Sequence, residues 1–416
     1  MTGFYKEKKN TKAYMKILHT SDWHLGHRLH EQSQHEEQTQ FLDWLEAYIK
    51  SEEVSVLLVS GDVFDSGVPS TQSQKMYYDF LIRLSQSPCQ HVVITGGNHD
   101  APGTINAPKE LLSALQVQVI GKVTENIEDE VFKLSVGDEQ VIVAAVPYLR
   151  DQDIRRAVSG ESFDEIGDRY KMALVKHYTE VGAYCESLKT ENVPVIGMGH
   201  LFAIGGSTSE SEQSIYIGNL GDIGAADFPE VFDYMALGHL HRPQKVGGTN
   251  YIRYSGSPTI LSFSEIGYDK NVILIESDGD KSLTIDYILV PKFREILRVK
   301  GSVVESIAQL QEIDKASYEL KPWVEVVIDN AMNTKIESQE INKAVEDLDL
   351  EVLKISLKNE REIAGLEALV ESSKQIKELQ PIEVFKMKCQ EQDFDIDENI
   401  EIFDAFNEVL QIAREN

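Results

Sequence analysis

From Met15 onward the chain alternates short runs of β-formers with stretches in which apolar residues recur three and four positions apart. KILHTSD, VSVLLVSGD, HVVITGGNHD, VPVIGMGHL and FDYMALGHLH each read as a strand that breaks into polar residues at its carboxyl end. The last two of these runs correspond to strands at Val193–His200 and Phe232–His239, and further strands are expected at Val141–Pro147, Tyr251–Ser255, Val272–Glu276 and Leu283–Val290. Ser33-Gln34-His35-Glu36 has capping-box spacing and opens a helix whose Phe41, Leu45, Tyr48 and Ile49 face a sheet. Pro69-Ser70 begins a second helix, with Met76, Tyr77, Phe80, Leu81 and Leu84 on one side, and Phe163–Leu188 reads as mostly helical. Ile204–Asp227, rich in Gly and Ser, reads as a surface loop. Alternation of this kind belongs to the α/β class.

Near Pro291 the pattern restarts as a β-α-β-α-β unit: strand Arg294–Val299, helix Val303–Ile313, strand Trp323–Ile328, helix Ser338–Asp347, strand Glu351–Leu357. The end of the chain changes again. Pro381 suits the first turn of a helix with Ile382, Phe385 and Cys389 on one face, and an acidic connector, EQDFDIDEN, follows it. A last helix carries Phe403, Phe406, Leu410 and Ala413 at helical spacing. These amphipathic faces either pack back on the preceding unit or dock in a groove of a partner helix, and docking is the preferred reading. The division expected is a polar tail over 1–14, a core over 15–290, a small α/β cap over 291–360 and C-terminal helices over 361–416.

The 416 residues suffice for two or three domains, and 42% hydrophobic content is that of an ordinary globular protein. Charge changes the picture more. With 69 acidic and 40 basic residues the net is −29, which excludes a chain that grips nucleic acid over its whole surface. Residues 301–416 hold 27 acids and 12 bases, about half of that deficit. Three scattered cysteines, Cys89, Cys185 and Cys389, suit a reduced cytoplasmic location and core packing. No stretch is long and apolar enough for a membrane span, the first fourteen residues lack a secretory h-region, and no GxxxxGK[ST] phosphate loop occurs.

The strand ends carry the chemistry. They deliver Asp22-Trp23-His24, Gly61-Asp62, Gly97-Asn98-His99-Asp100, Gly199-His200 and Gly238-His239-Leu240-His241. Loops leaving the carboxyl ends of parallel strands converge on one edge, so these groups are expected to meet. Imidazoles and carboxylates suit borderline first-row divalent ions. Seven ligands exceed one ion's needs and fit two ions sharing a bridge.

These blocks, in this order, resemble the signature of the calcineurin-like metallophosphoesterases: D-x-H, GD, GNH[D/E], H and GHxH. Within that superfamily the strings HTSDWHLGH, SGDVFDSGVPS and FDYMALGHLHRPQ are similar to SbcD-type nuclease subunits, strongly over residues 15–290 and more loosely beyond. The resemblance implies two packed β-sheets flanked by helices, with a small α/β cap and C-terminal partner-binding helices. It implies two divalent cations, manganese foremost, one held by Asp22, His24 and His241 and the other by Asn98, His200 and His239, with Asp62 bridging. His99 is the expected catalytic acid for the leaving oxygen, with Asp65 beside it through the GDxxD spacing; related archaeal and eukaryotic nucleases carry GDLFH there instead.

Asp100 reads as a partner to this machinery or, more simply, as a turn residue. His27 and Arg28 are candidate phosphate contacts. His19 and His91 read as structural, and His30, His35 and His177 as surface or helix-face positions. The implied function is manganese-dependent cleavage of DNA, at double-strand ends and in single strands or hairpins. The implied partner is an SbcC-type coiled-coil ATPase docked on the C-terminal helices, with a homodimer inside a heterotetramer. A phosphomonoesterase or cyclic-nucleotide phosphodiesterase on the same core is the alternative.

Overall fold

The structure, a computed structural model, describes residues 15–150, 153, 163–203, 223–277, 282–314, 319–329 and 334–358. The expected polar tail over 1–14, most of the Gly/Ser-rich loop (204–222) and the C-terminal helices of 361–416 lie outside the described residues.

In chain order, β1 (Met15–Thr20) leads to a hairpin of β2 (Arg28–Leu29) and β3 (Gln32–Ser33), then helix α1 (His35–Glu52). β4 (Val56–Ser60), α2 (Thr71–Leu84) and β5 (His91–Thr95) follow, with two short helices, α3 (Pro102–Asn106) and α4 (Lys109–Ser113), before β6 (Val117–Ile120). The hairpin of β7 (Val131–Val136) and β8 (Glu139–Ala145) precedes α5 (Phe163–Leu188) and β9 (Val195–His200). Next come β10 (Tyr234–Gly238), β11 (Gln244–Lys245), β12 (Ile252–Tyr254), β13 (Asn271–Ser277) and β14 (Leu283–Leu289). Last are β15 (Ile296–Gly301), α6 (Val303–Asp314), β16 (Trp323–Asp329), α7 (Thr334–Ala344) and β17 (Glu351–Lys358).

Two six-stranded sheets form the centre, ordered β14-β13-β1-β4-β5-β6 and β11-β12-β10-β9-β8-β7. In the first, β1, β4, β5 and β6 run parallel and β13 and β14 close one edge antiparallel. In the second, β8, β9, β10 and β12 are parallel, with β7 and β11 antiparallel at the edges. The parallel strands are covered on both faces, so they read as continuous apolar runs rather than alternating ones. Every residue of VLLVS in β4 is buried.

Between the sheets lies a layer of Ile17, Val56, Leu58 and Val93 against Val143, Ile196, Met198 and Ala236. α1 and α2 cover the outer face of the first sheet through Phe41, Leu45, Ile49, Tyr77 and Phe80. α5 covers the second through Tyr170, Leu174, Tyr178, Val181 and Cys185, one stripe at helical spacing. The result is the expected pair of packed sheets flanked by helices. Burial pushes the Cys89 and Cys185 thiols up to about 12, which makes them inert core residues. Among the described residues no helix is long and apolar enough to cross a membrane.

Two local expectations change. The Ser33–Glu36 capping box does not form: α1 starts at His35, with Gln34 at the cap position and no side-chain cap bond there. Gln34 instead turns inward and donates to the Ile260 carbonyl at 2.7 Å. His177, expected at a surface or helix-face position, does lie on helix α5 but is buried there, paired at 2.8 Å with the fully buried Glu130. By contrast α2 begins as its sequence predicts, with the Ser70 hydroxyl accepting from Ser73 N at 3.1 Å.

The third sheet, ordered β15-β16-β17 and parallel throughout, carries its own small core of Val299, Leu310, Val324, Val326, Ile328 and Ile341. Arg294 ties it to α1. Its guanidinium pairs with Glu37, reaches Glu36 at 2.9 Å and the Lys321 carbonyl at 2.7 Å, and lies 4.3 Å over the Trp323 ring. Glu37 is only 3% exposed, so Arg294→Ala leaves a buried carboxylate without its cation. A loss of about 3–5 kcal/mol is expected in urea denaturation, partly restored by adding Glu37→Gln; a loss under about 1 kcal/mol would show that the seam does not depend on this pair.

Candidate metal centre

All five strand ends meet at one edge of the double sheet. Asp22 and His24 follow β1, Asp62 follows β4, Asn98 and His99 follow β5, His200 ends β9, and His239 and His241 follow β10. The loops after β1 and β4 are zipped together by Asp22 N to the Gly61 carbonyl (3.0 Å), His24 N to the Asp62 carbonyl (3.0 Å) and Leu25 N to the Val63 carbonyl (2.9 Å). Trp23 explains the D-W-H alternation. Its indole is buried among Phe41 and Phe80 with Nε1 donating to Thr20 Oγ1, and its two neighbours belong to the centre.

Local strain is concentrated here. Asp22, His24, Asp62 and His239 all have positive φ, a region that non-glycine residues rarely adopt. Gly97 has a different reason to be glycine: a Cβ there would stand 2.1 Å from Asp62 Oδ1. That close approach lets the β4 and β5 loops interlock.

The side chains form two buried groups. Potential ligand atoms of Asp22, His24 and His241 lie within 4.8 Å of one another, as do those of Asp62, His200 and His239. Asn98 belongs with the second group, its Oδ1 3.0 Å from His200 Nε2. Asp62 stands between the groups: Oδ2 is 3.2 Å from His200 Nε2 and 3.6 Å from His24 Nε2, and Oδ1 accepts from His99 N at 2.8 Å. The seven expected ligands are thus brought together.

The remaining expected site residues take more particular places. His99 is half-buried, its ring 4.8 Å from that of His24, and its Nδ1 bonds to the main-chain carbonyl of Asp65 at 2.8 Å. The Asp65 carboxylate is therefore not the group His99 hydrogen-bonds to. It pairs with His27 Nδ1 at 2.8 Å and approaches His24 Nδ1 at 3.3 Å. His27 also bonds through Nε2 to the Leu261 carbonyl at 3.0 Å, so both its ring nitrogens are engaged within the protein. Arg28 is exposed and bonds the Glu31 carbonyl.

Asp100 does more than make a turn. Buried, its carboxylate accepts from Val63 N (3.1 Å), Phe64 N (3.0 Å) and Gly97 N (2.9 Å), clamping the two loops that carry Asp62 and Asn98. Sequence reasoning also missed Gln38, which donates to the His24 carbonyl at 2.7 Å, and Arg150, which donates to the Asp100 carbonyl at 2.7 Å. Arg150 follows the apolar run of β8, so a sixth strand end was its available signal.

The donor set fits divalent cations. Both ring nitrogens of His24 are buried without a hydrogen-bond partner, in a spot where each nitrogen faces a carboxylate. Burial pushes the Asp22 carboxyl up to about 6, against the pull of His200 and His241. On His200 burial acts the other way, against the proton, yet Asp62 and Asp22 hold its pKa up at about 9. For Asp62, burial is outweighed by His200 and His24, and its carboxyl falls far below the usual range. Such a cluster shares protons where a cation would replace them.

Residues 15–243 match the family described as Calcineurin-like phosphoesterase, and residues 292–393 match the Type 5 capsule protein repressor C-terminal domain. The SbcD component of nuclease SbcCD from Escherichia coli (strain K12) is 32% identical over 348 residues, covering 83% of this chain and 86% of the relative. The chain belongs to the SbcD family. The same-named protein of Bacillus subtilis (strain 168) is 32% identical over 69% of this chain and 73% of its own, and that of Rhodobacter capsulatus 35% identical over 64% and 67%. Membership of this metallophosphoesterase family makes the protein a hydrolytic enzyme whose core binds divalent metal.

The raised pKa of His200 sets a pH dependence. With its pKa held up, the His200 ring favours its protonated form near neutral pH, and a cation bound there would have to displace that proton, because only the neutral ring is a ligand. Apparent manganese affinity should therefore rise from pH 6 towards about 9, with proton release on binding, in titration calorimetry run in buffers of different ionisation enthalpy. An affinity independent of pH across that window, with no proton release, would contradict the assignment.

Proposed function

We propose that this protein is a two-metal, manganese-dependent DNA nuclease subunit. It hydrolyses phosphodiesters at double-strand ends and in single-stranded or hairpin DNA, working with an SbcC-type ATPase in DNA repair and recombination. The observation that carries this reading is the meeting of Asp22, His24, Asp62, Asn98, His200, His239 and His241 at one sheet edge. Asp22, His24 and His241 would hold one cation, Asn98, His200 and His239 the other, and Asp62 would serve both. The cations, when bound, supply Lewis acidity towards the phosphate and lower the pKa of water to yield a nucleophile at neutral pH.

The chain's own groups do the rest. Imidazoles and the Asn98 amide are neutral ligands, so the two aspartates cancel little of the cations' charge and the cleft stays attractive to phosphate despite the net charge of −29. His99, with Nδ1 fixed on the Asp65 carbonyl, has Nε2 left to donate a proton to the departing sugar oxygen. Asp65 acts through its main chain on His99 and through its carboxylate on His27 and His24. Of the two candidate contacts to the DNA backbone, His27 and Arg28, the proposal rests on Arg28, which is exposed, because both ring nitrogens of His27 are engaged within the protein.

The relatives are named as one component of the SbcCD nuclease, which supports a two-component complex. The β15–β17 unit is read as a cap over the cleft, and the acidic segment 361–416, with the amphipathic helices expected from its sequence, as the dock for the coiled-coil partner. A homodimer within a heterotetramer and a cytoplasmic location complete the proposal.

Asp62→Asn removes the shared charge. Cleavage of linear DNA by the reconstituted complex with manganese and ATP should fall by at least about 1,000-fold, while co-purification with the ATPase stays unchanged. Undiminished cleavage would show Asp62 to be misassigned. Rapid turnover of small phosphoesters with linear DNA left intact would favour a small-molecule phosphodiesterase instead.

A further inference from the structure

Against His241 lies a buried network that the metal blocks do not include. Glu265 is fully buried, and its Oε1 is 3.4 Å from His241 Nδ1. Its other oxygen, Oε2, accepts from Lys270 Nζ at 2.5 Å and from Leu261 N at 3.2 Å. Lys270 is itself buried and donates to Ser257 Oγ at 2.7 Å and to the His241 carbonyl at 3.3 Å. The ammonium thus grips both ends of the segment between His241 and Glu265, and it neutralises a carboxylate that burial would otherwise make costly. Glu265 thus meets the His241 ring from its Nδ1 side.

The two halves of the centre differ in what backs their imidazoles. In the half formed by Asp22, His24 and His241, carboxylates stand behind both rings: Asp65 at 3.3 Å from His24 Nδ1 and Glu265 at 3.4 Å from His241 Nδ1. In the other half His200 Nδ1 donates to a neutral group, the Ser60 carbonyl, at 2.9 Å, and Asn98 brings an uncharged amide. A carboxylate behind an imidazole fixes the ring and raises its basicity as a ligand. We propose that Glu265, held in place by Lys270, is the positioning residue for His241, and that it makes the Asp22–His24–His241 half the tighter of two unequal cation sites. This rests on the two-metal reading above.

The test is stepwise manganese binding to the metal-stripped full-length chain, by titration calorimetry with electron paramagnetic resonance following mononuclear and coupled ions. The wild type should take up two ions with distinct affinities, and His241→Ala should lose the tighter one. Glu265→Gln should weaken the tighter site by about 10–100-fold and leave the weaker one unchanged. Because the single variant strands Lys270, the double variant Glu265→Gln, Lys270→Met is also measured. It removes both buried charges and should show the same site-selective loss with thermal stability near that of the wild type.

If both variants keep both affinities while His241→Ala loses a site, Glu265 does not position His241 and the proposal fails. Equal weakening of both sites would mark a general structural role and also overturn it. A wild type that binds fewer than two ions, or a His241→Ala chain that binds like the wild type, would sink the two-metal reading itself and this inference with it.

Discussion

The constraint on which the structure turns is the burial of Asp62. The residue is 1% exposed, its carboxylate inserted between two groups of imidazoles and held by His99 N and by the approach of His24 and His200. A buried carboxylate is costly unless cations or hydrogen bonds meet it. The fold meets that need with main-chain geometry set by strained residues at the ends of β1, β4 and β10, and by a glycine at 97 that admits the Asp62 side chain. The double sheet supplies the rigidity that sustains such strain. Parallel strands buried on both faces hold the loop ends in register, and Trp23 nails the first loop to the helical layer.

Around that anchor the supporting contacts form a graded shell. Asp100 clamps the β4 and β5 loops through three main-chain amides, and Gln38 links α1 to the first loop. Glu265 and Lys270 reach the last ligand from the segment that also touches the third sheet, where the Phe263 carbonyl accepts from Arg298 at 2.7 Å. The candidate ligands and the β15–β17 unit are therefore joined by a short continuous path.

Much of this was legible in the sequence, for reasons that are physical. Each candidate ligand sits at or just after the end of an apolar run, so local pattern pointed to it, and parallel topology made convergence of the loops the expected outcome. The helical faces of α1, α2 and α5 were equally readable, because core packing depends on periodicity alone. What escaped were choices made by distant partners. Ser33 had the spacing of a cap, but Gln34 turned to the Ile260 carbonyl and the helix began at His35 instead. Asp65 had the spacing to serve His99, and it is the Asp65 carbonyl that does so while the carboxylate bonds His27. Glu265 and Lys270 carry no local signature, since their meaning lies in His241, more than twenty positions earlier.

The most direct test of the centre is anomalous diffraction from crystals of the full-length chain soaked in manganese. Two peaks about 3.5–4 Å apart are predicted, one beside Asp22, His24 and His241, the other beside Asn98, His200 and His239, with Asp62 touching both. A single peak, or none at saturating manganese with the side chains in place, would contradict a two-cation centre.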